Sequence, residues 1–223
     1  MTLYRRLLAE GLGTATLVCT VVGSGIMADM LSNDVGVSLL GNTIPTGAIL
    51  FVLITILGPI SGAHFNPAVS LVMAIRGDLK WADLGPYVAV QSLAAILGSL
   101  VAHGMFDLEI LQFSVKERTG PPQWFAEGVA ASGLLMTILG GLRFRPQAIP
   151  MLVGLYITAA YWFTASTSFA NPAVTIGRAF TDTFAGISPA HVPGFILAQL
   201  AGALFALGLA TILFKGDPES DTE

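Results

Sequence analysis

His64-Phe65-Asn66-Pro67-Ala68-Val69-Ser70 occurs almost twice in this chain, returning 105 residues later as Phe169-Ala170-Asn171-Pro172-Ala173-Val174-Thr175. Each copy sets Asn-Pro-Ala inside an otherwise apolar run. Asn is a strong helix N-cap, and Pro is at home in the first helical turn, where its missing N–H would have no partner anyway. Each copy therefore marks the start of a helix. A soluble protein puts such starts at its surface, but these surroundings are too apolar for that. A bare cap has no reason to recur inside two apolar runs. Two half-helices that begin inside a bilayer, one per repeat, are the pattern of a membrane pathway built from inverted halves.

Composition points the same way. The chain is 54% hydrophobic and 11% charged, with a mean hydropathy of +0.76, outside the range of soluble domains. Six spans of about 20 residues each, with two short re-entrant pieces, use nearly all of its 223 residues. They leave no room for a soluble domain. The net charge of −4 carries little information, because basic residues in membrane proteins matter by side rather than by sum. A single cysteine, Cys19, supports neither a disulfide framework nor a metal cluster. No cofactor, metal or nucleic-acid partner is expected. The first apolar run lacks a small-residue cleavage site and reads as a retained span.

The predicted spans are Tyr4 to Met27, Thr43 to Ile60, Leu84 to His103, one starting near Phe125, Gln147 to Phe163, and Val192 to Phe214. The half-helices run from Asn66 to Ile75, stopping at Arg76-Gly77-Asp78, and from Asn171 to Phe180. Two more landmarks repeat in order. Leu8-Ala9-Glu10-Gly11 returns as Phe125-Ala126-Glu127-Gly128, and the Gln91 segment returns as Gln199-Leu200-Ala201-Gly202. The expected organisation is one channel domain over 1–223, with repeats over about 4–103 and 123–214 and an acidic, disordered tail over 216–223. Glu10, just inside its span, is either an end residue reaching the interface or a buried functional group.

With the N-terminus inside, three spans per repeat invert the second half. The cytoplasmic side then holds Arg5, Arg6, Arg76, Lys80, Arg143, Arg145 and Lys215, against Lys116, Arg118 and Arg178 outside. That asymmetry predicts cytoplasmic N- and C-termini. Opposed half-helices would bring two positive dipole ends together near the midplane, with the Asn66 and Asn171 amides as donors. A neutral solute can accept those bonds in passing, whereas a cation meets a barrier.

These residues resemble the aquaporins and aquaglyceroporins, the major intrinsic proteins, over essentially the whole chain. The resemblance implies an all-α membrane fold with six tilted helices and two re-entrant half-helices around one pore, assembled as a homotetramer. It implies that Asn66-Pro67-Ala68 and Asn171-Pro172-Ala173 line the pore, and that Glu10 and Glu127 brace the re-entrant loops. His64 would line or support the cytoplasmic part of the path; the alternative is a satisfied packing histidine.

The family's water and glycerol channels usually place Arg directly after the second Asn-Pro-Ala; here that residue is Val174. Counting along the family's pattern puts the other filter positions at Thr46, Ala159 and Ser168, with Thr158 or Ala160 replacing Ala159 if one gap intervenes. These side chains make a wide constriction without a fixed charge. The run Asn171 to Arg178 is similar to that of a bacterial subgroup linked to arsenic resistance. This resemblance implies an inner-membrane channel for water, polyols and arsenous acid (arsenite), with methylated arsenicals as further solutes. Arg178, one turn beyond Val174, supplies a displaced charge at the outer vestibule, or else is an interfacial anchor or a partner for Asp182. A coupled secondary transporter, also built from inverted repeats, is the main alternative. It needs ionisable groups at the midplane, and the only carboxylates within spans are Glu10 and Glu127. An intramembrane enzyme is not expected, since Cys19 and His103 stand alone.

Overall fold

The computed structural model describes residues 1–214; Lys215 and the acidic stretch 216–223 lie outside the described residues. Among the described residues the chain forms α1 (Leu3–Leu31), α2 (Val35–Ser61), α3 (Pro67–Arg76), α4 (Trp81–Met105), α5 (Pro121–Phe144), α6 (Ile149–Phe163), α7 (Pro172–Arg178) and α8 (Val192–Leu213). Single 3-10 turns, Pro146–Ala148 and Pro189–His191, lead into α6 and α8. By length and composition α1, α2, α4, α5 and α8 can each cross a membrane. At 15 residues α6 is short of the usual span.

The polar stretch Asp29 to Asn42 is helical for most of its length, where the sequence suggests a loop. The Asp34 side chain explains this: its Oδ1 accepts from the Gly36 and Val37 N–H groups at 2.7 and 3.3 Å and starts α2 eight residues early. Asn42 is buried one turn before Thr46, and its Nδ2 donates to the Val21 carbonyl at 2.6 Å. A polar side chain inside a span is tolerated on those terms.

The packing comes in matched pairs. α1 packs on α4 and α2, as α5 packs on α8 and α6; α2 against α6 joins the two sets, and α3 and α7 meet between them. Polarity runs inside out relative to a soluble protein. Glu10, Gln91, Glu127 and Gln199 are fully buried, while Leu12, Phe51, Leu93, Leu155 and Phe205 face outward. Without a hydrophobic drive between helices in lipid, close backbone approach takes over. A Cβ on Gly98 of α4 would lie 2.4 Å from the Ala15 carbonyl oxygen, and one on Gly202 of α8 would lie 2.2 Å from that of Gly128. Both obstacles are backbone and cannot rotate away. Gly202→Ala should therefore destabilise the α5–α8 pair by about 1–3 kcal/mol, read as a lower melting midpoint of the detergent-solubilised protein. An unchanged midpoint would mean that α8 backs away freely.

Candidate pore

Asn66 and Asn171 cap the two short helices in the same way. The Asn66 Oδ1 accepts from the Ala68 N–H at 2.9 Å, and the Asn171 Oδ1 accepts from the Ala173 and Val174 N–H groups at 2.9 and 3.3 Å. Each amide also reaches across to the other half. Asn66 Nδ2 donates to the Ala170 carbonyl at 2.8 Å, and Asn171 Nδ2 donates to the Phe65 carbonyl at 2.7 Å. The two helix N-termini thus meet head to head, tied by reciprocal bonds. A primary amide carries two N–H groups, so each Asn keeps one that the cross-tie does not need. Both residues line one continuous cavity.

The loops entering these helices repeat the same strained backbone. Left-handed φ occurs at Gly62, Ala63 and Phe65 (92°, 50° and 48°) and, 105 residues on, at Thr167, Ser168 and Ala170 (62°, 51° and 50°). Such conformations at non-glycine residues cost roughly 1–3 kcal/mol each and persist only when the surroundings impose them. Two buried carboxylates do so. Glu10 accepts from the Ser61 hydroxyl (2.7 Å), the His64 and Phe65 N–H groups (2.9 and 2.7 Å) and Gln91 Nε2 (2.8 Å). Glu127 accepts from the Phe169 and Ala170 N–H groups (both 2.9 Å) and Gln199 Nε2 (2.6 Å). Each Gln amide also donates to a hydroxyl on the following half-helix, Gln91 to Ser70 at 3.0 Å and Gln199 to Thr175 at 2.9 Å. The Gln residues are visible in the sequence as repeat landmarks, but their part in this network, and that of Ser70 and Thr175, is not.

The cavity, of about 970 Å³, runs from Met1, Arg6 and Lys80 past His64, Asn66 and Asn171 to Thr46, Tyr161, Ser168, Val174 and Arg178. Thr46, Ser168 and Val174 sit on its wall at the end away from the N-terminus. Ala159 does not. It lies on the exposed outer face of α6, and neither Thr158 nor Ala160 reaches the cavity; Val153, Ile157 and Tyr161 do, at four-residue spacing. Tyr161 lines the cavity with its hydroxyl 3.4 Å from Thr46 Oγ1, so that end is more aromatic than expected. His64 both lines the cavity and is satisfied, with Nδ1 3.0 Å from Ser70 Oγ and its ring 5.5 Å from that of Tyr87.

Arg178 is buried and lines the cavity. Its guanidinium lies 3.4 Å over the Phe169 ring, and its Nε donates to the Ala185 carbonyl. Asp182 is not its partner; that carboxylate accepts from the Val115 N–H at 3.0 Å. Arg118, unremarked as a site residue in the sequence, stacks on the same Phe169 ring at 5.2 Å and donates from Nε to the Gly186 carbonyl at 2.9 Å. Lys116 donates to the Phe184 carbonyl at 2.8 Å. Burial pushes its ammonium below the usual lysine value, and the Arg118 and Arg178 charges act in the same direction. Among the described residues both ion pairs, Arg6–Asp83 and Arg76–Asp78 at 2.8 Å each, lie at the N-terminal end. The Arg178 end carries positive charge without carboxylate pairing.

The Major intrinsic protein family matches residues 1–142 of the sequence. Among curated relatives, "Aquaglyceroporin AqpS" of Rhizobium meliloti (strain 1021) is 63% identical over 213 residues, which span 96% of this chain and 91% of that protein. "Probable aquaporin NIP-type" of Nicotiana alata is 30% identical, over 90% of this chain and 76% of its own. The solved aquaglyceroporin of Plasmodium falciparum aligns with a TM-score of 0.74 and 20% identity, over 95% of this chain and 97% of the other, so the two share a fold.

Proposed function

Since the chain belongs to the major intrinsic protein family, with the aquaporin-like helical fold, we propose that its pore is wide enough at the Val174 end to pass glycerol-sized neutral solutes as well as water. The protein is a multi-pass membrane channel for small neutral solutes and not an enzyme. One observation carries the finer reading: position 174, one residue past the second Asn-Pro-Ala, places an uncharged Val on the cavity wall. A Val side chain takes up less of the passage than an Arg and holds no water of its own. The solutes that fit are polyols, undissociated arsenous acid and methylated arsenicals, and the relative named an aquaglyceroporin supports that class.

The mechanism follows from the midplane. A solute passing Asn66 and Asn171 meets amide N–H groups and two helix N-termini, which replace the water bonds it sheds and repel cations. Glu10 and Glu127 hold the loops that aim those groups. We assign the N-terminal end to the cytoplasm of a bacterial inner membrane, because Arg6, Arg76, Lys80 and Arg143 gather there. Four copies forming a homotetramer would bury part of the outward apolar face. Stopped-flow swelling of proteoliposomes against glycerol, urea and larger polyols, beside arsenite uptake, tests the reading. Faster entry of glycerol and arsenite than into empty vesicles is expected. Water flux alone would overturn the wide-pore assignment.

The barrier can be tested at its centre. Asn66→Asp keeps the acceptor for the Ala68 N–H but replaces the donor facing the Ala170 carbonyl with an oxygen. The added carboxylate should offset the helix-end charge, so potassium leak in vesicles should rise severalfold in protein that still assembles. Asn171→Asp should behave alike. Unchanged leak in both variants would put the barrier elsewhere.

A further inference from the structure

We propose that Arg178 and Ser168 together form a hydrogen-bonding station for an oxygen of the passing solute. This station, set on the cavity wall at the Val174 end, selects among neutral solutes and turns cations away. The inference rests on the channel reading above and adds a binding site to it. By backbone position Arg178 belongs one turn beyond Val174. Helical side chains lean toward the helix N-terminus, however, and the guanidinium folds back over Phe169, the neighbour of Ser168 in the chain. The charge is therefore turned toward the Ser168 segment, on the cavity wall that Val174 shares.

Three features make this a built site. The guanidinium is held in place by the Ala185 carbonyl on Nε and by the Phe169 ring beneath it. That ring is itself fixed, edge-on to Phe195 at 5.1 Å and stacked with Arg118 at 5.2 Å. Second, Arg178 and Ser168 are each only 2% exposed, yet Arg178 Nη1 and Ser168 Oγ have no hydrogen-bond partner, and both residues line the cavity. Buried donors are rarely left unmatched without a ligand to match them. Third, among the described residues no carboxylate forms an ion pair with Arg178 or takes a hydrogen bond from its guanidinium. Asp182 is engaged by the Val115 N–H, and both oxygens of Glu127 are taken by Phe169, Ala170 and Gln199. The Tyr161 and Thr46 hydroxyls on the same cavity supply acceptors. The pattern suits a small neutral solute that carries both an acceptor oxygen and a donating O–H or N–H.

The test uses the full-length protein in proteoliposomes, with glycerol and water permeability and potassium leak measured on the same vesicles. Arg178→Met keeps a stem of similar length on Phe169 but drops the charge and the donors. Glycerol permeability relative to water should fall about ten-fold, the effect of one charge-assisted hydrogen bond, and potassium leak should rise. Arg178→Lys keeps the charge and should keep potassium out, while still losing part of the glycerol-to-water ratio. Ser168→Ala should lower that ratio without any leak, and it carries the test if Arg178→Met fails to assemble. An unchanged ratio in assembled Ser168→Ala and Arg178→Lys, with a conducting wild type, would overturn the station alone. A wild type that passes no glycerol would overturn the wide-pore reading, and the station with it.

Discussion

Val174→Arg should cut the flux of glycerol-sized and arsenous-acid-sized solutes roughly ten-fold or more, while water flux falls much less. The Val174 N–H is part of the Asn171 cap, and the residue is buried on the cavity wall beside Thr46, Tyr161 and Ser168. The substitution thus leaves the backbone in place and fills the passage. It introduces five N–H donors and a permanent charge on the cavity wall. A single water can still pass and accept a bond from the new group, but a three-carbon polyol has to displace it. Arg178 lies four residues further along α7, so the added charge also faces a like charge on the same helix face. Some loss of expression is expected, and fluxes have to be normalised to assembled protein. Equal loss of water and glycerol flux would indicate a blocked or misfolded pore. Undiminished glycerol flux would remove position 174 from the constriction.

Glu127→Ala should prevent assembly or lower the melting midpoint drastically. It leaves the Phe169 and Ala170 N–H groups and one Gln199 amide hydrogen without acceptors. Each such loss in a buried site costs about 1–3 kcal/mol, and the Glu127 side chain is fully buried. The sum is on the order of 5 kcal/mol, comparable with the whole stability of an ordinary domain. The left-handed turn at Ala170, φ 50°, loses its restraint as well. Glu127→Gln retains one carboxamide oxygen and should fall between the two. Fluorescence-detected size-exclusion melting of wild type and both variants decides it. A Glu127→Ala midpoint equal to that of wild type would show that the carboxylate is not what holds the loop.

The two Asn-Pro-Ala stretches made the re-entrant pair legible in the sequence because a cap and a helix-starting Pro have no other use in an apolar run. Glu10 and Glu127 stood out as a repeated pair, but on the residues alone Glu10 could equally be an end residue reaching the interface, and their bracing role came from the family resemblance. The phase of α6 was not legible. In a soluble protein the inward stripe Val153, Ile157, Tyr161 would be marked by polar residues opposite. In lipid the opposite face, with Met151, Leu155 and Trp162, is equally apolar, so periodicity carries no signal. Counting across a loop replaced it and gave Ala159. The start of α2 was hidden because Asp34 and Asn42 look like loop residues until their capping and cross-helix bonds are seen. The direction of the Arg178 side chain depends on the ring it stacks on, which no spacing rule supplies.

The Asn66–Ala170 and Asn171–Phe65 bonds fasten the midpoint of the pathway from both sides. A midpoint fastened in this way opposes the rocking that would open it first to one compartment and then to the other. Thermodynamically it is a resistor: it levels a difference in chemical potential and can never build one. A cell that uses such a pore to rid itself of a toxic solute has to keep generating that solute inside, by whatever reaction releases it in neutral form. The driving force for export is then metabolic. Once the outside concentration is the higher, the same pore becomes the route of entry.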